Sequence, residues 1–163
     1  VRRVNHDRYD DAYLRRVLDA VKTIAMVGAS TNWNRPSHFA FKYLQAKGYR
    51  MIPVNPGSAG ETMLGETVRA SLADIPEPVD MVDIFRKSEV AGAITDAAIA
   101  IGAKVVWMQL GVRDDAAAAR AEAAGLTVVM NRCPKIEYGR LHGELGWGGF
   151  NSGIISSKRR KVQ

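Results

Sequence analysis

The sequence holds one cysteine, Cys133, among its 163 residues. A single thiol excludes an intrachain disulfide, and the expectation is a reducing, cytoplasmic setting. No run of about 18 or more apolar residues occurs, so no transmembrane helix is expected. The opening stretch VRRVNHDRYDDAYLRRVLDAV lacks the apolar core of a secretory signal. There is no glycine-rich loop ending in Gly-Lys-Ser or Gly-Lys-Thr, which excludes a P-loop, and no G-x-G-x-x-G fingerprint of a dinucleotide site. Histidine is scarce: His6, His38 and His142 are scattered, with no paired base, metal motif or nucleophile beside them. No internal repeat or low-complexity linker divides the chain.

What is present fits one globular domain. Hydrophobic residues make up 47% of the chain, enough for a full core at this length. Of the formal net charge of +6, four charges sit in the tail SSKRRKVQ at Lys158, Arg159, Arg160 and Lys161, which leaves +2 for the rest. Residues from about 157 to 163 therefore read as a mobile basic tail, and a nucleic-acid role is disfavoured for want of any recognition pattern. The remaining charge suits a polyanionic small ligand.

Strand and helix signals alternate after a lead-in helix expected at about residues 7–20. TIAMV, YRMIPV, VDMVDIF, KVVWMQL and LTVVMN are short, apolar, β-branched runs that read as buried strands. Between them lie three helical segments. One starts at Pro36, with Phe39, Ala40, Tyr43 and Leu44 expected on its buried face and Gly48 at its end. The next is SEVAGAITDAAIAIGA, with Ser88 as its cap and Ile94, Ala98 and Ile101 facing inward. The last is the alanine-rich RDDAAAARAEAAG. The long connection from Gly57 to Pro78 is expected to hold an irregular strand in TMLGETV and a short helical turn in SLADIPEP. The pattern implies an α/β domain: a doubly wound parallel sheet of about five strands, Rossmann-like, with helices on both faces and the expected order 3-2-1-4-5. The final segment, CPKIEYGRLHGELGWGGFNSGIISS, has no clear period and is expected to pack on an edge or seal an interface.

In such a sheet ligands bind beyond the C-terminal strand ends. The residues there are Gly28, Ala29, Ser30, Thr31 and Asn32; then Asn55, Pro56, Gly57 and Ser58; then Ile84, Phe85 and Arg86; then Gln109, Leu110 and Gly111; then Asn131, Arg132 and Cys133. Gly28 lets the backbone approach a ligand, and the helix N-terminus that follows suits phosphate. A valine at Gly28 is expected to block that approach while sparing the fold; the plainer reading is a tight strand-to-helix turn. Arg86 and Arg132 are the candidate cations within the fold, able to meet phosphate or to pair with Asp83 or Glu89. Trp33 could stack on an adenine or cover the loop, and Trp107 reads as core. Cys133 reads as a packing residue, with a redox-active thiol as the alternative. Asn55 stands where a nicotinamide enzyme would carry an acid for the ribose 2′-hydroxyl, so a nicotinamide oxidoreductase is disfavoured.

The blocks VGAS, NRPSHFAFKYLQAKGYRMIPVNPG, LGETVRASLADIP, VDMVDIFR, AIAIGAKVVWMQLGV, AGLTVVMNRC and ELGWGGFNSGIISS together resemble the small stand-alone CoA-binding domain proteins. The resemblance runs from about Asp7 to Ser157 and extends to the first domain of the succinyl-CoA synthetase α subunit. It implies CoA or acyl-CoA as ligand, with phosphates over Gly28 to Asn32, adenosine near Asn55 to Ser58, and the pantetheine arm running past Phe85, Arg86, Gln109 and Gly111. It also implies a non-catalytic binding protein, a sensor or accessory subunit, because the chain is too short for a phosphohistidine domain or a nucleotide-binding subunit. The alternative is a detached domain of an ADP-forming acyl-CoA synthetase. A protein partner or a homo-oligomer is left open.

Overall fold

The computed structural model describes residues 3–143. The expected basic tail and most of the aperiodic final segment lie outside the described residues. Five parallel strands form the main sheet: β1 (Thr23–Val27), β2 (Arg50–Val54), β5 (Met81–Ile84), β6 (Val105–Met108) and β7 (Thr127–Val129). A separate antiparallel pair, β3 (Thr62–Met63) and β4 (Glu66–Thr67), turns through Leu64 and Gly65, both at positive φ. This hairpin replaces the irregular strand expected in TMLGETV, and a 3-10 turn at Leu72–Asp74 follows it.

The strand order is β2-β1-β5-β6-β7. In terms of the five parallel strands this is 2-1-3-4-5, which corrects the expected 3-2-1-4-5. Pro53 gives the physical reason. In β2 the Arg50 N–H and the Val54 carbonyl bond toward β1, so Met51 and Pro53 direct their backbone groups to the other side. Proline has no N–H to offer a neighbouring strand, so β2 belongs at an edge. A single bridge to Arg69 covers that edge: the Arg69 N–H donates to the Pro53 carbonyl at 2.9 Å, and the Asn55 N–H to the Arg69 carbonyl at 2.9 Å.

Helices cover both faces. On one face α3 (Ser88–Ala100) and α4 (Asp115–Ala123) pack through small residues, Ala91, Ala98, Ala117, Ala118 and Ala121, against Val82, Ile84 and Val106. On the other, α1 (Asp11–Ala20), α2 (Pro36–Ala46) and α5 (Pro134–Leu141) bury Leu14, Leu18, Phe41 and Leu44 over Ile24, Met26 and the fully buried Trp107. Burying one such large side chain is worth about 1.5–3 kcal/mol. The lead-in helix starts at Asp11 rather than near residue 7.

Two further expectations are corrected. On α2 the inward aromatic is Phe41, while Phe39 is 49% exposed. Ser88 is the first residue of α3 rather than its cap; its hydroxyl accepts the Arg113 N–H at 3.0 Å and ties down the β6–α4 loop. The start of the aperiodic final segment forms α5, whose Tyr138 packs edge-on against Tyr43 and Tyr49. Its apolar contacts are too few to make a visible period in eight residues.

Candidate functional site

Strand order reverses between β1 and β5, and the turns leaving these two strands meet at the carboxyl edge. Gly28 follows β1 at φ +92°, a conformation that L side chains rarely adopt. A Cβ at this position would collide with the Phe85 carbonyl oxygen and come within 2.9 Å of Arg86 Cδ. The close approach that demands glycine is thus to the end of β5. The expectation that valine at Gly28 spares the fold is therefore corrected.

The loop after Gly28 is fastened by its own polar groups. Asn55 Nδ2 donates to the Ala29 carbonyl at 2.9 Å, while its Oδ1 accepts the Gly57 N–H at 3.0 Å. The Ser30 N–H donates to buried Ser37 Oγ at 3.1 Å, and the Asn32 N–H to Ser30 Oγ at 3.1 Å. Asn55 is thus the clamp between the β1 and β2 turns. The clamp needs an amide, because the Ala29 carbonyl requires a donor that a carboxylate lacks.

A groove of about 850 Å³ opens over these turns. Of the residues singled out in the sequence, Gly28, Ser30, Asn32, Asn55, Phe85, Arg86, Gln109 and Gly111 line it together, along with Leu110. Ala29, Thr31, Gly57 and Ser58 do not: Ala29 is fully buried, and the others stand beside the groove rather than in its wall. Pro56 lines a smaller cleft of about 360 Å³ with Leu72, Val90 and Ile94, and Arg86 borders both spaces. Sequence reading missed Arg35, Ser37 and Lys87 in the groove wall. The available signal was positional: Arg35 directly precedes the helix-opening Pro36, and Lys87 sits between the end of β5 and the start of α3. Arg35, Arg86 and Lys87 are exposed and join no ion pair among the described residues, and no carboxylate lines the groove.

Arg132 is elsewhere. Its guanidinium lies 5.1 Å from the centre of the Tyr9 ring and donates to the Asn131 carbonyl, so it is not a groove cation. Trp33 is 72% exposed and outside the lining. Trp107 is core, its Nε1 donating to the Arg132 carbonyl at 2.8 Å. None of the three histidines lines the groove; His142 stacks on Tyr138 and His6 contacts Tyr9 and Glu122.

The groove continues into a second, apolar space of about 730 Å³ between α2 and α5, walled by Phe39, Ala40, Tyr43, Ala46, Leu110 and Ile136, with Lys42, Lys135 and Cys133. Phe39 is exposed because it forms this wall. Pro36, Phe85, Gln109 and Leu110 belong to both spaces and mark the seam between them. Cys133 is half-buried, and burial pushes its thiol above the ordinary range, with a hydrogen bond from the Gln109 side chain among the opposing effects. Burial thus disfavours the thiolate, while the side chain still faces the apolar space.

Asp83 lies two residues before Phe85 on the same face of β5, and Gln109 two residues after Trp107 on the same face of β6. Asp83 is 0% exposed, and burial pushes its carboxyl well above its ordinary value. Both its oxygens, and Gln109 Oε1, are buried without a hydrogen-bond partner among the described residues.

The model of the CoA binding domain matches residues 22–139. The chain belongs to the CoA binding domain family. Among its relatives, the uncharacterized protein YneT of Bacillus subtilis is 35% identical over 127 residues, 78% of this chain and 93% of its own. A hypothetical protein of solved structure from Pyrococcus horikoshii is 38% identical with a TM-score of 0.79, the match covering 88% of this chain and all of that one. The dinucleotide-forming acetyl-coenzyme A synthetase 1 of Ca. Korarchaeum cryptofilum shares the fold at 23% identity and a TM-score of 0.58, the match covering 68% of this chain and 26% of the synthetase. The matched residues of this CoA binding domain contain the whole parallel sheet and both turns of the switch point. No helix among the described residues is long and apolar enough to cross a membrane.

Proposed function

We propose that the groove binds CoA or an acyl-CoA, and that the 163-residue chain acts as a single binding domain that performs no chemistry on it. The observation that carries this reading is the division of the groove. Its polar half presents Arg35, Arg86 and Lys87 with no opposing carboxylate among the described residues, and its apolar half runs on from Gln109 between α2 and α5. CoA is divided in the same way, with phosphates at one end and an uncharged arm ending in sulfur at the other. The phosphates are assigned to the Gly28–Asn32 turn and the three cations, where exposed positive charge and the start of α2 favour anions. The adenosine end is assigned to the Asn55–Ser58 turn and the cleft at Pro56. The arm is assigned to the seam past Phe85, Gln109 and Gly111, with its sulfur toward Cys133.

Among the described residues no histidine, aspartate or glutamate lines either half of the groove, which supports a binding role. A sensor of CoA status or an accessory subunit of an acyl-CoA enzyme fits such a module. The clamp at Asn55 supports CoA over NAD, since it leaves no carboxylate for a ribose 2′-hydroxyl. Matched calorimetric titrations with CoA, acetyl-CoA, NAD and NADP test the reading. CoA or acetyl-CoA is expected to bind at least about tenfold tighter than either nicotinamide nucleotide. Equal or tighter binding of NAD overturns it, and turnover of acetyl-CoA by the purified chain overturns the non-catalytic role.

A further inference from the structure

Two side chains on one face of neighbouring strands, Asp83 and Gln109, carry the buried polar atoms that lack partners among the described residues. Asp83 Oδ1, Asp83 Oδ2 and Gln109 Oε1 are all acceptors when the carboxyl is ionised, and none has a donor among the described residues. Lone acceptors buried in an apolar core are costly to leave without a donor. One added proton pairs two of the three and leaves the other Asp83 oxygen as a neutral carbonyl oxygen, far cheaper to bury than a carboxylate. A carboxylic acid at Asp83 becomes a donor, and Gln109 Oε1 is the orphan acceptor on the same face of the adjoining strand.

The surroundings favour that proton. On the flanking strands Met26 of β1 and Trp107 of β6 are the register partners of Asp83. Burial pushes its carboxyl up, and neither Lys42 of α2 nor Lys135 of α5 forms an ion pair with it among the described residues. Cys133, at the start of α5, is the titratable neighbour, whose thiol a charge on Asp83 would push further up.

The other end of the Gln109 amide faces a different way. Gln109 is 6% exposed and lines both halves of the groove, yet its Oε1 is sealed. Its Nε2 lies on the side of Cys133, itself a wall residue of the apolar half. We propose that Asp83 is a positioning residue: as a carboxylic acid it donates its proton to Gln109 Oε1, and so turns Nε2–H toward the seam, where it meets a carbonyl oxygen of the ligand. In the CoA reading, on which this last assignment rests, the acceptor is an amide or thioester carbonyl of the arm.

Two measurements test the two halves separately. Infrared difference spectra of wild type against Asp83→Asn at neutral pH should show the carbonyl stretch of a buried carboxylic acid, lost in the variant. A carboxylate signature instead overturns the Asp83–Gln109 contact, whatever the ligand is. Calorimetry with acetyl-CoA and with adenosine 3′,5′-bisphosphate, which lacks the arm, then reads the consequence. Asp83→Leu removes the donor and is expected to weaken acetyl-CoA about tenfold while leaving the bisphosphate unchanged. Asp83→Asn, whose amide can still donate to Oε1, should restore acetyl-CoA affinity. Gln109→Met, which keeps the volume without the polar end, should repeat the selective loss if Asp83→Leu folds poorly by thermal unfolding. Equal losses for both ligands, or no loss in Gln109→Met, overturn the positioning role. Wild type that binds neither CoA nor acetyl-CoA overturns the function proposed above and the carbonyl assignment with it, while the infrared band still decides the contact.

Discussion

The space that a side chain on Gly28 would need is filled by the carbonyl oxygen of Phe85. The two residues leave adjacent strands at the switch point, and their contact sets the distance between the β1 and β5 turns that form the groove floor. Gly28→Ala should therefore lower unfolding free energy by about 2–4 kcal/mol, combining a positive φ with a backbone collision. Denaturant titration checks this. A variant with wild-type stability would show that the turn relaxes freely and that glycine is present for another reason.

Asn55→Asp keeps shape and removes a donor. The Ala29 carbonyl would then face a carboxylate oxygen in place of the Nδ2–H that it accepts at 2.9 Å. We expect a loss of roughly 1–3 kcal/mol in unfolding free energy, the cost of orphaning a buried acceptor. The added acid should not confer NAD binding, because the collapsed clamp no longer shapes the turn. Thermal unfolding and NAD titration read the two outcomes, and a stable variant that gains NAD affinity contradicts the clamp.

Neutralising Arg35, Arg86 and Lys87 together to Gln should weaken CoA by at least about tenfold, since each is a charge-assisted donor available to phosphate. The dependence of affinity on salt should flatten at the same time, because exposed charges are what salt screens. Arg132→Gln provides the contrast: its guanidinium sits over Tyr9, so CoA affinity and its salt dependence should both persist. Calorimetry at two ionic strengths measures all four effects.

Asp83 predicts an unusual dependence of stability on pH. Its folded carboxyl is raised well above the ordinary value of 3.8, so above that value the native state holds a proton that the unfolded chain has lost. The contribution of this group is therefore complete below the unfolded value and declines as pH rises from there toward the folded one, with a slope of at most about 1.4 kcal/mol per pH unit. Asp83→Asn should remove the slope, so its advantage over wild type should grow with pH. Denaturant titrations of both proteins from acid to mildly alkaline pH test it; parallel curves would mean that Asp83 is ionised in the native state.

The residue order alone determined the alternation of apolar strands and helices, the position of the β1–α2 turn and the family to which the chain belongs. These are local patterns: β-branched runs of four or five residues, a proline that opens a helix, glycines that close three of them. The edge position of β2 was also written in the sequence, at Pro53, because a missing N–H is a local fact with a consequence for topology. What only the tertiary structure decided depends on groups far apart in the chain. Gly28 owes its necessity to Phe85, and Asn55 is committed to Ala29 across 26 positions. Arg132 reads as a groove cation until Tyr9, more than 120 residues earlier, arrives beneath its guanidinium. The seam at Gln109 exists because α2 and α5 close over one face of the sheet, and α5 has too short an apolar pattern to announce itself. Side chains acquire donors, acceptors and ring partners only when distant strands and helices pack. A spacing rule can therefore name which residues reach the carboxyl edge, but the contacts made there decide which of them remain free to hold a ligand.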